Sequence, residues 1–191
     1  MSAEQIHTIL ERLCTLLRVE ARARGAADGL LPIQLEALHY LSQCNRYSDT
    51  VQGLTEFLAQ TKGTLSQTVK VLESRGLVRK EPDLQDRRIV HLHVTAAGRS
   101  LLAKVVPAQP LVDLLERSTA AETERIAETL RDLLRSTQKA AQAKPFAACK
   151  TCRFNEAVDG GFRCALTGEP LTPSETELIC REHEYAPART K

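Results

Sequence analysis

The stretch LTEFLAQTKGTLSQTVKVLESRGLVRKEPDLQDRRIVHLHVTAAGRSLL, residues 54–102, decides the fold. It opens with a short apolar helical pattern, and Thr61 is a suitable N-cap for a second one, in which apolar residues recur every three or four positions. Gly76 is placed to end that helix in a left-handed conformation. Residues 78–81 and 89–94 follow as two predicted strands, joined by a charged turn.

Two short helices followed by a two-stranded hairpin are typical of a winged helix-turn-helix, whose second helix enters the major groove of DNA. Residues 60–90 carry seven basic and four acidic side chains, a local charge of +3, whereas the whole chain of 191 residues carries +2. Any nucleic-acid contact must therefore come from this local patch. The predicted contacts on the second helix are Thr61, Lys62, Thr64, Ser66, Gln67 and Lys70.

This stretch resembles the DNA-binding core of the MarR (multiple antibiotic resistance regulator) family. The most specific parts are LxxxGLV at Leu72–Val78, DRR at Asp86–Arg88 and VTAAGR at Val94–Arg99, where the family usually has LTxxGR. The resemblance covers residues 50–104 as motif and about residues 5–142 as helical layout. It implies that Arg88 enters the minor groove at the wing tip, oriented by Asp86, with the basic Arg87 beside it.

Apolar stripes at Ile6–Leu17 and Leu111–Leu134 flank this core. The resemblance explains them, because the family forms homodimers whose first and last helices interlock. It implies double-stranded DNA with a pseudo-palindromic operator as the partner, and it allows a small-molecule effector between the dimer helices and the DNA-binding lobe. The predicted fold is therefore mainly α with a small β-hairpin wing, in a winged helix-turn-helix dimer.

The helical pattern stops at Pro145, which divides the chain into predicted domains 1–144 and 145–191. The second is loop-rich, carries a charge of −1 and holds four of the six cysteines. These are Cys149, Cys152, Cys164 and Cys180, with the spacing C-x2-C-x11-C-x15-C. A C-x2-C pair brings two thiolates to one metal, and two more cysteines complete a four-thiolate site. Ligation would also stabilise a segment that has few large apolar side chains.

The pattern CKTCRFN…FRCALTGEPL…ELIC also resembles that of high-potential iron–sulfur proteins. Phe154, Phe162, Leu166 and Gly168 match the aromatic, apolar and glycine positions around the cysteines. The resemblance implies a [4Fe–4S] cluster, although the low aromatic content departs from it. Zinc is the alternative cofactor, with Cys180-Arg-Glu-His183 as a second knuckle in which His183 is a ligand. A redox-active dithiol or no site is the remaining alternative.

Two of the remaining predictions concern other cysteines and histidines. Cys14 and Cys44 lie in apolar helical contexts and are expected to be core thiols. His91 and His93 alternate along the second strand, where a solvated wing face is favoured over metal chelation.

Together these patterns predict a homodimeric transcription regulator whose operator affinity responds to a [4Fe–4S] cluster that senses redox state, oxygen or iron. Coupling is expected through the last dimer helix. Two alternatives are a MarR-like regulator with a structural zinc tail and a small-molecule effector, and a cluster-bearing electron-transfer protein.

No Ser/His/Asp set, phosphate-binding glycine loop or HExxH motif occurs, so no enzyme is expected. A cytoplasmic location without membrane contact is expected, because neither a signal sequence nor an apolar span is evident.

Overall fold

The polypeptide from residue 2 to residue 186 is described by a computed structural model. Its first part contains α1 (Ala3–Ala27), α2 (Pro32–Gln43), α3 (Val51–Leu58), α4 (Lys62–Ser74), β1 (Val78–Pro82), β2 (Val90–Val94), α5 (Ala96–Val105), α6 (Gln109–Glu116) and α7 (Ala120–Ala140). The remainder contains β3 (Ala147–Ala148), a 3-10 turn (Cys149–Thr151), β4 (Asn155–Val158), β5 (Gly161–Cys164), β6 (Pro170–Leu171), α8 (Pro173–Thr176) and β7 (Ile179–Cys180). The predicted mainly α fold with a hairpin wing is confirmed.

Threonine N-caps determine where three helices of the winged-helix core begin. The hydroxyl groups of Thr50, Thr61 and Thr95 accept hydrogen bonds from backbone N–H groups in the first turns of α3, α4 and α5. Each satisfies a donor that the helix itself cannot pair. After α4, Gly76 has φ of +67°, which a residue with a side chain rarely adopts. The predicted N-cap at Thr61 and the left-handed turn at Gly76 are both confirmed.

One aliphatic core holds α2, α3, α4, α5 and the hairpin together. Its fully buried members include Leu38, Leu54, Leu65, Val69, Leu72 and Leu92. β1 and β2 are antiparallel, with Val78 opposite Val94 and Lys80 opposite Leu92. Because Leu92 of the wing and Leu65 of α4 lie in the same core, the base of the wing is held against the helix that precedes it.

The flanking helices bury little within their own chain. α1 has 25 residues with only Gly25 buried, and α7 has 21 residues with none buried. Their exposed apolar residues are Ile6, Ile9, Leu13, Leu16 and Val19 on α1 and Ile126, Leu130, Leu133 and Leu134 on α7. Within residues 2–186, no helix has both the length and the apolar composition that crossing a membrane requires.

α1 ends at Ala27, and its buried Gly25 packs directly on α2: a Cβ at that position would lie 3.3 Å from Leu35 Cδ2. One prediction about this helix is corrected. Cys14 is exposed on α1, so its prediction as a core thiol is wrong, whereas Cys44 is buried as predicted.

The cysteine-rich segment is more regular than the predicted loop. β4, β5 and β6 form one antiparallel sheet, and β3 pairs with β7. The segment also packs on the winged-helix core, where Phe146 lies edge-on to Phe57 with ring centroids 5.4 Å apart. Arg181 reaches Glu56 of α3 at 2.8 Å. The domain division at Pro145 stays a prediction, and residues 187–191 of the second predicted domain lie outside the described residues.

Candidate nucleic-acid interface and cysteine cavity

α4 presents a polar face opposite its buried residues. Thr61, Lys62, Thr64, Gln67 and Lys70 are exposed, and Ser66 is half-buried. The Thr61 hydroxyl is already engaged, because it caps the helix and lies 2.9 Å from the Thr64 hydroxyl. In the part of the chain that the structure describes, neither Lys62 nor Lys70 has a carboxylate within ion-pair distance, so both ammonium groups are available to phosphates.

The wing turn holds one arginine outward in a fixed orientation. Arg88 Nε donates to Asp86 Oδ1 at 2.9 Å and Arg88 Nη2 donates to Asp86 Oδ2 at 2.8 Å. This two-point contact fixes the plane of the guanidinium group. The Arg88 side chain is nevertheless 90% exposed, which leaves its other donors free. Arg87 is exposed beside it, and Leu84 is 97% exposed in the same turn.

Asp83 shapes that turn. Its Oδ1 accepts backbone N–H groups of Gln85 at 2.8 Å and Asp86 at 2.7 Å, as an Asx turn does. Hydrogen bonds from Arg88 hold the pKa of Asp86 below its usual value, and that carboxylate raises the pKa of Arg88. The Asp86–Arg88 pair is therefore charged at neutral pH.

His91 and His93 face carboxylates rather than solvent alone. His91 Nδ1 lies 2.6 Å from Asp49 Oδ1, and its Nε2 lies 3.1 Å from Asp83 Oδ2. His93 lies 3.8 Å from Asp49 and 3.5 Å from Glu81. The predicted solvated face is therefore wrong for His91, whose side chain is largely covered. Sequence reasoning missed Asp49, because it is 42 positions before His91 and no local pattern marks it.

The charges in this cluster influence one another. Burial alone would lower the pKa of His91, but the adjacent carboxylates of Asp49 and Asp83 raise it above its usual value. Burial raises the pKa of Asp49, which is only 5% exposed, and His91 opposes that rise. The result is a half-buried ionic contact at the base of the wing.

The four predicted ligand cysteines line a single cavity of about 60 Å³. Cys149 begins the 3-10 turn, Cys152 follows it, Cys164 ends β5 and Cys180 ends β7. The other lining residues are Asn45, Tyr47, Phe154, Leu166, Thr167, Leu171 and Glu182. The structure thus brings together all four cysteines that the spacing predicted to act together.

Burial and neighbouring thiols shift the pKa values of two cysteines in this cavity. Burial, together with the nearby Cys180, Cys152 and Cys164, raises the pKa of Cys149 to about 11. Burial also raises the pKa of Cys180, against hydrogen bonds that lower it. Cys149 and Cys180 therefore favour their neutral form unless positive charge enters the cavity, as metal ligation would supply.

His183, the alternative zinc ligand, lies outside the cavity lining. It is 2% exposed, its Nε2 lies 2.9 Å from the Thr151 hydroxyl, and its ring packs edge-on to Tyr185. Within residues 2–186, no three Cys, His, Asp or Glu side chains converge closely enough to hold one metal ion. The four thiols surround a space instead of meeting at a point.

A second cavity, of about 330 Å³, lies between α1, α2 and the connection from α5 to α6. Leucine, valine and proline side chains form much of its wall, and Arg18, Arg22, Glu36 and His39 supply polar groups. Burial lowers the pKa of His39, so its imidazole favours the neutral form. This cavity lies between the flanking helices and the winged-helix core, which is where the resemblance allowed a small-molecule effector.

Comparisons with known proteins agree with this geometry. A sequence model of the MarR family matches residues 28–89. The transcriptional regulator HosA of Escherichia coli O157:H7 is 36% identical over 84 residues. That alignment spans 43% of this chain and 62% of HosA, which is less than two thirds of the relative.

Two solved structures show the same fold. A MarR transcriptional regulator from Methanosarcina mazei Go1 superimposes with a TM-score of 0.58 at 19% identity, covering 72% of this chain and 99% of that chain. A MarR family protein from Bacillus stearothermophilus gives a TM-score of 0.58 at 20% identity, covering 71% and 94%. The sequence match shows that residues 28–89 are similar to the MarR family, and the two superpositions show that the chain shares the fold of these structures.

Proposed function

We propose that this protein is a DNA-binding transcription regulator that contacts double-stranded DNA with α4 and the wing. The outward Arg88, held by Asp86, carries this proposal, because a fixed and exposed guanidinium suits insertion into a narrow minor groove. Lys62 and Lys70 on α4 supply phosphate contacts. The MarR-family match over residues 28–89 supports the same reading.

We further propose that it acts as a homodimer on a pseudo-palindromic operator. The support is the apolar stripe of α7, where Ile126, Leu130 and Leu133 are exposed at helical spacing and no element within residues 2–186 covers them. α1 carries a second such stripe. Mutual burial of two stripes from each protomer would remove this apolar surface from water.

We propose that the cysteine cavity holds a [4Fe–4S] cluster. The donor set is four thiols around one space, whereas a single tetrahedral zinc needs its sulfurs about 2.3 Å from one point. The backbone N–H of Glu184 points at Cys152 Sγ, 3.4 Å away, and such bonds tune cluster potentials. A bound cluster supplies a redox-active, oxygen-sensitive centre, through which DNA affinity responds to redox state, oxygen or iron.

DNA binding is tested with a duplex selected by the protein from a random-sequence library, followed by fluorescence anisotropy. Arg88→Ala should weaken binding about 5- to 150-fold without loss of folding. Lys70→Ala should weaken it across all sequences and reduce the salt slope by about one. Arg163→Ala is the matched control, an exposed arginine paired with Glu156 at 2.7 Å in the cysteine segment. Equal affinities for the Arg88 and Arg163 variants would exclude the wing from the interface.

The cluster is tested by iron, sulfide and zinc analysis of anaerobically purified protein. The wild type and Cys14→Ser, which changes an exposed cysteine on α1, should each hold about four iron and four sulfide per chain. Cys180→Ser should hold less of both. One zinc per chain without iron would favour the structural zinc tail. Iron without any DNA binding would favour the electron-transfer protein.

A small-molecule effector is a second proposal, supported by the 330 Å³ cavity beside α1. Ala21 lines that cavity, so Ala21→Phe should fill it and abolish fluorescence enhancement of an anilinonaphthalene sulfonate probe. Ala23→Phe is the control, because Ala23 is exposed on the same helix and does not line the cavity. Equal probe binding by both variants would argue against a ligand site there.

A further inference from the structure

We propose that residues 44–50, the connection from α2 to α3 and here termed the 44–50 loop, transmit the state of the cysteine cavity to the DNA-binding wing. This inference rests on the proposed cluster and DNA-binding function. It assigns their coupling to a segment outside the four cysteines and outside the DNA contacts. The loop touches the cavity at one end and the wing at the other.

At its first end the loop forms part of the cavity wall. Asn45 and Tyr47 line the cavity together with the four cysteines. Asn45 Oδ1 accepts hydrogen bonds from the Ser48 hydroxyl at 2.7 Å and the Tyr47 backbone N–H at 3.2 Å. The Cys180 thiol lines the same cavity, so the Asn45 side chain is held in the wall that also carries this cysteine.

The loop is also hydrogen-bonded to the backbone on both sides of Cys180. The Asn45 N–H donates to the Ile179 carbonyl at 2.9 Å, and the Arg181 N–H donates to the Ser48 hydroxyl at 2.9 Å. Ile179 and Arg181 are the immediate neighbours of Cys180 in the chain. The position of this cysteine and the position of the loop therefore depend on each other.

At its second end the loop holds the wing. The Leu92 N–H of β2 donates to the Asp49 carbonyl at 2.7 Å, and the Asp49 carboxylate contacts His91 at 2.6 Å. His91 in turn contacts Asp83, which shapes the turn that carries Asp86 and Arg88. Hydrogen bonds thus connect the backbone on either side of Cys180, through the 44–50 loop, to the wing tip.

The middle of the loop is rigid enough to pass on a displacement. Ser48 is fully buried, and its carbonyl accepts the Tyr40 hydroxyl at 3.0 Å. The same carbonyl lies against Gly53 in the first turn of α3, where a Cβ would collide with it. Close-packed contacts of this kind move together instead of deforming gradually.

The last dimer helix offers a different route, the one that the sequence favoured. Among the described residues, the hydrogen bonds of α7 with the segment join Gln138 to the Tyr185 hydroxyl at 3.1 Å and to the Pro145 carbonyl at 2.6 Å, and Arg135 to the Ala186 carbonyl at 3.0 Å. None of these five residues lines the cavity. The 44–50 loop, by contrast, is itself part of the wall, and we therefore assign the coupling to it.

Hydrogen–deuterium exchange on the full chain tests this assignment, with the cluster reconstituted anaerobically and then removed by oxidation and chelation. In the wild type, loading should slow exchange of wing peptides covering residues 83–94 by at least about fivefold. Ser48→Ala removes the bond to the Arg181 N–H, and His91→Gln weakens the contact with Asp49. In both variants the wing response should fall below about twofold at unchanged iron content.

Ser42→Ala is the matched control, because the Ser42 hydroxyl bonds only within α2, to the His39 carbonyl at 2.7 Å. It should respond as the wild type does. An unchanged wing in the loaded wild type, or a full response in both Ser48→Ala and His91→Gln, would overturn the inference. If Ser48→Ala fails to load iron, His91→Gln decides alone, because His91 does not line the cavity.

Iron content and DNA affinity are measured on the same samples, which separates the two levels of failure. Wild-type protein without iron or without DNA binding would refute the proposed function and the inference with it. Wild-type protein with iron and DNA binding but no wing response would refute the inference alone.

Discussion

Gly53→Ala is the substitution whose effect the structure predicts most sharply. Gly53 lies in the first turn of α3, and its N–H is capped by Thr50. Alanine is ordinarily the better helix former, so a reading of the helix alone predicts stabilisation. In this fold, however, the added Cβ would collide with the Ser48 carbonyl oxygen and come within 3.0 Å of the Tyr40 hydroxyl.

The opposing contributions can be compared. Alanine gains up to about 1 kcal/mol of helix propensity. Overpacking against backbone, which cannot rotate away, costs about 1–3 kcal/mol. Displacing the Ser48 carbonyl also weakens its buried bond to Tyr40, worth about 1 kcal/mol. The net expectation is a destabilisation of about 1–3 kcal/mol, which lowers Tm by about 2–12 °C in a chain of this length.

The assay is thermal unfolding followed by circular dichroism, with Gly63→Ala as the matched control. Gly63 lies in the first turn of α4, and a Cβ there would meet nothing closer than 3.9 Å. That variant should unfold at the wild-type temperature or slightly above it. A Gly53→Ala protein as stable as Gly63→Ala would refute the close packing between the 44–50 loop and α3.

Three further predictions concern other parts of the molecule. Because carboxylates raise the pKa of His91, their stabilisation is present below its unfolded pKa of about 6.5 and lost as pH rises through the folded pKa. The Tm difference between wild type and His91→Gln should thus be larger at about pH 6 than at about pH 9. The titratable groups that face His91 are Asp49, Asp83, Glu81 and His93. A Tm difference that does not change with pH would count against the contact between His91 and the carboxylates. Leu130→Glu should convert a dimer into a monomer by light scattering, while Asp132→Ala on the same helix should not; a dimeric Leu130→Glu protein would exclude the α7 stripe. Phe146→Ala loses edge-on contacts worth about 0.5–1.5 kcal/mol each, so trypsin should cleave after the exposed Lys150 faster than in Leu84→Ala, and equal rates would mean that Phe146 does not hold the cysteine-rich segment in place.

The winged-helix core could be predicted because its signals are local. Thr61 and Gly76 mark the two ends of α4 within a few residues, and alternation along β2 marks the hairpin. The spacing of the cysteines likewise predicted that Cys149 and Cys180 act together, which their shared cavity matches. Each of these inferences needed only residues that are near in sequence or of one distinctive type.

The long-range contacts of the 44–50 loop could not be predicted, because they join residues that carry no distinctive motif and that lie far apart in the sequence. Asn45 and Tyr47 form part of the cysteine cavity although more than 100 residues separate them from Cys149. Asp49 carries no local signal for its contact with His91. Tertiary contacts decided both.

The most direct test of the account is the DNA affinity of one protein preparation with and without its cluster. The selected duplex is titrated by fluorescence anisotropy at fixed salt, first with anaerobically loaded protein and then after removal of the metal. The account predicts iron in the loaded protein and a change in Kd of at least about fivefold between the two states. Equal Kd values for iron-loaded and metal-free protein would contradict it.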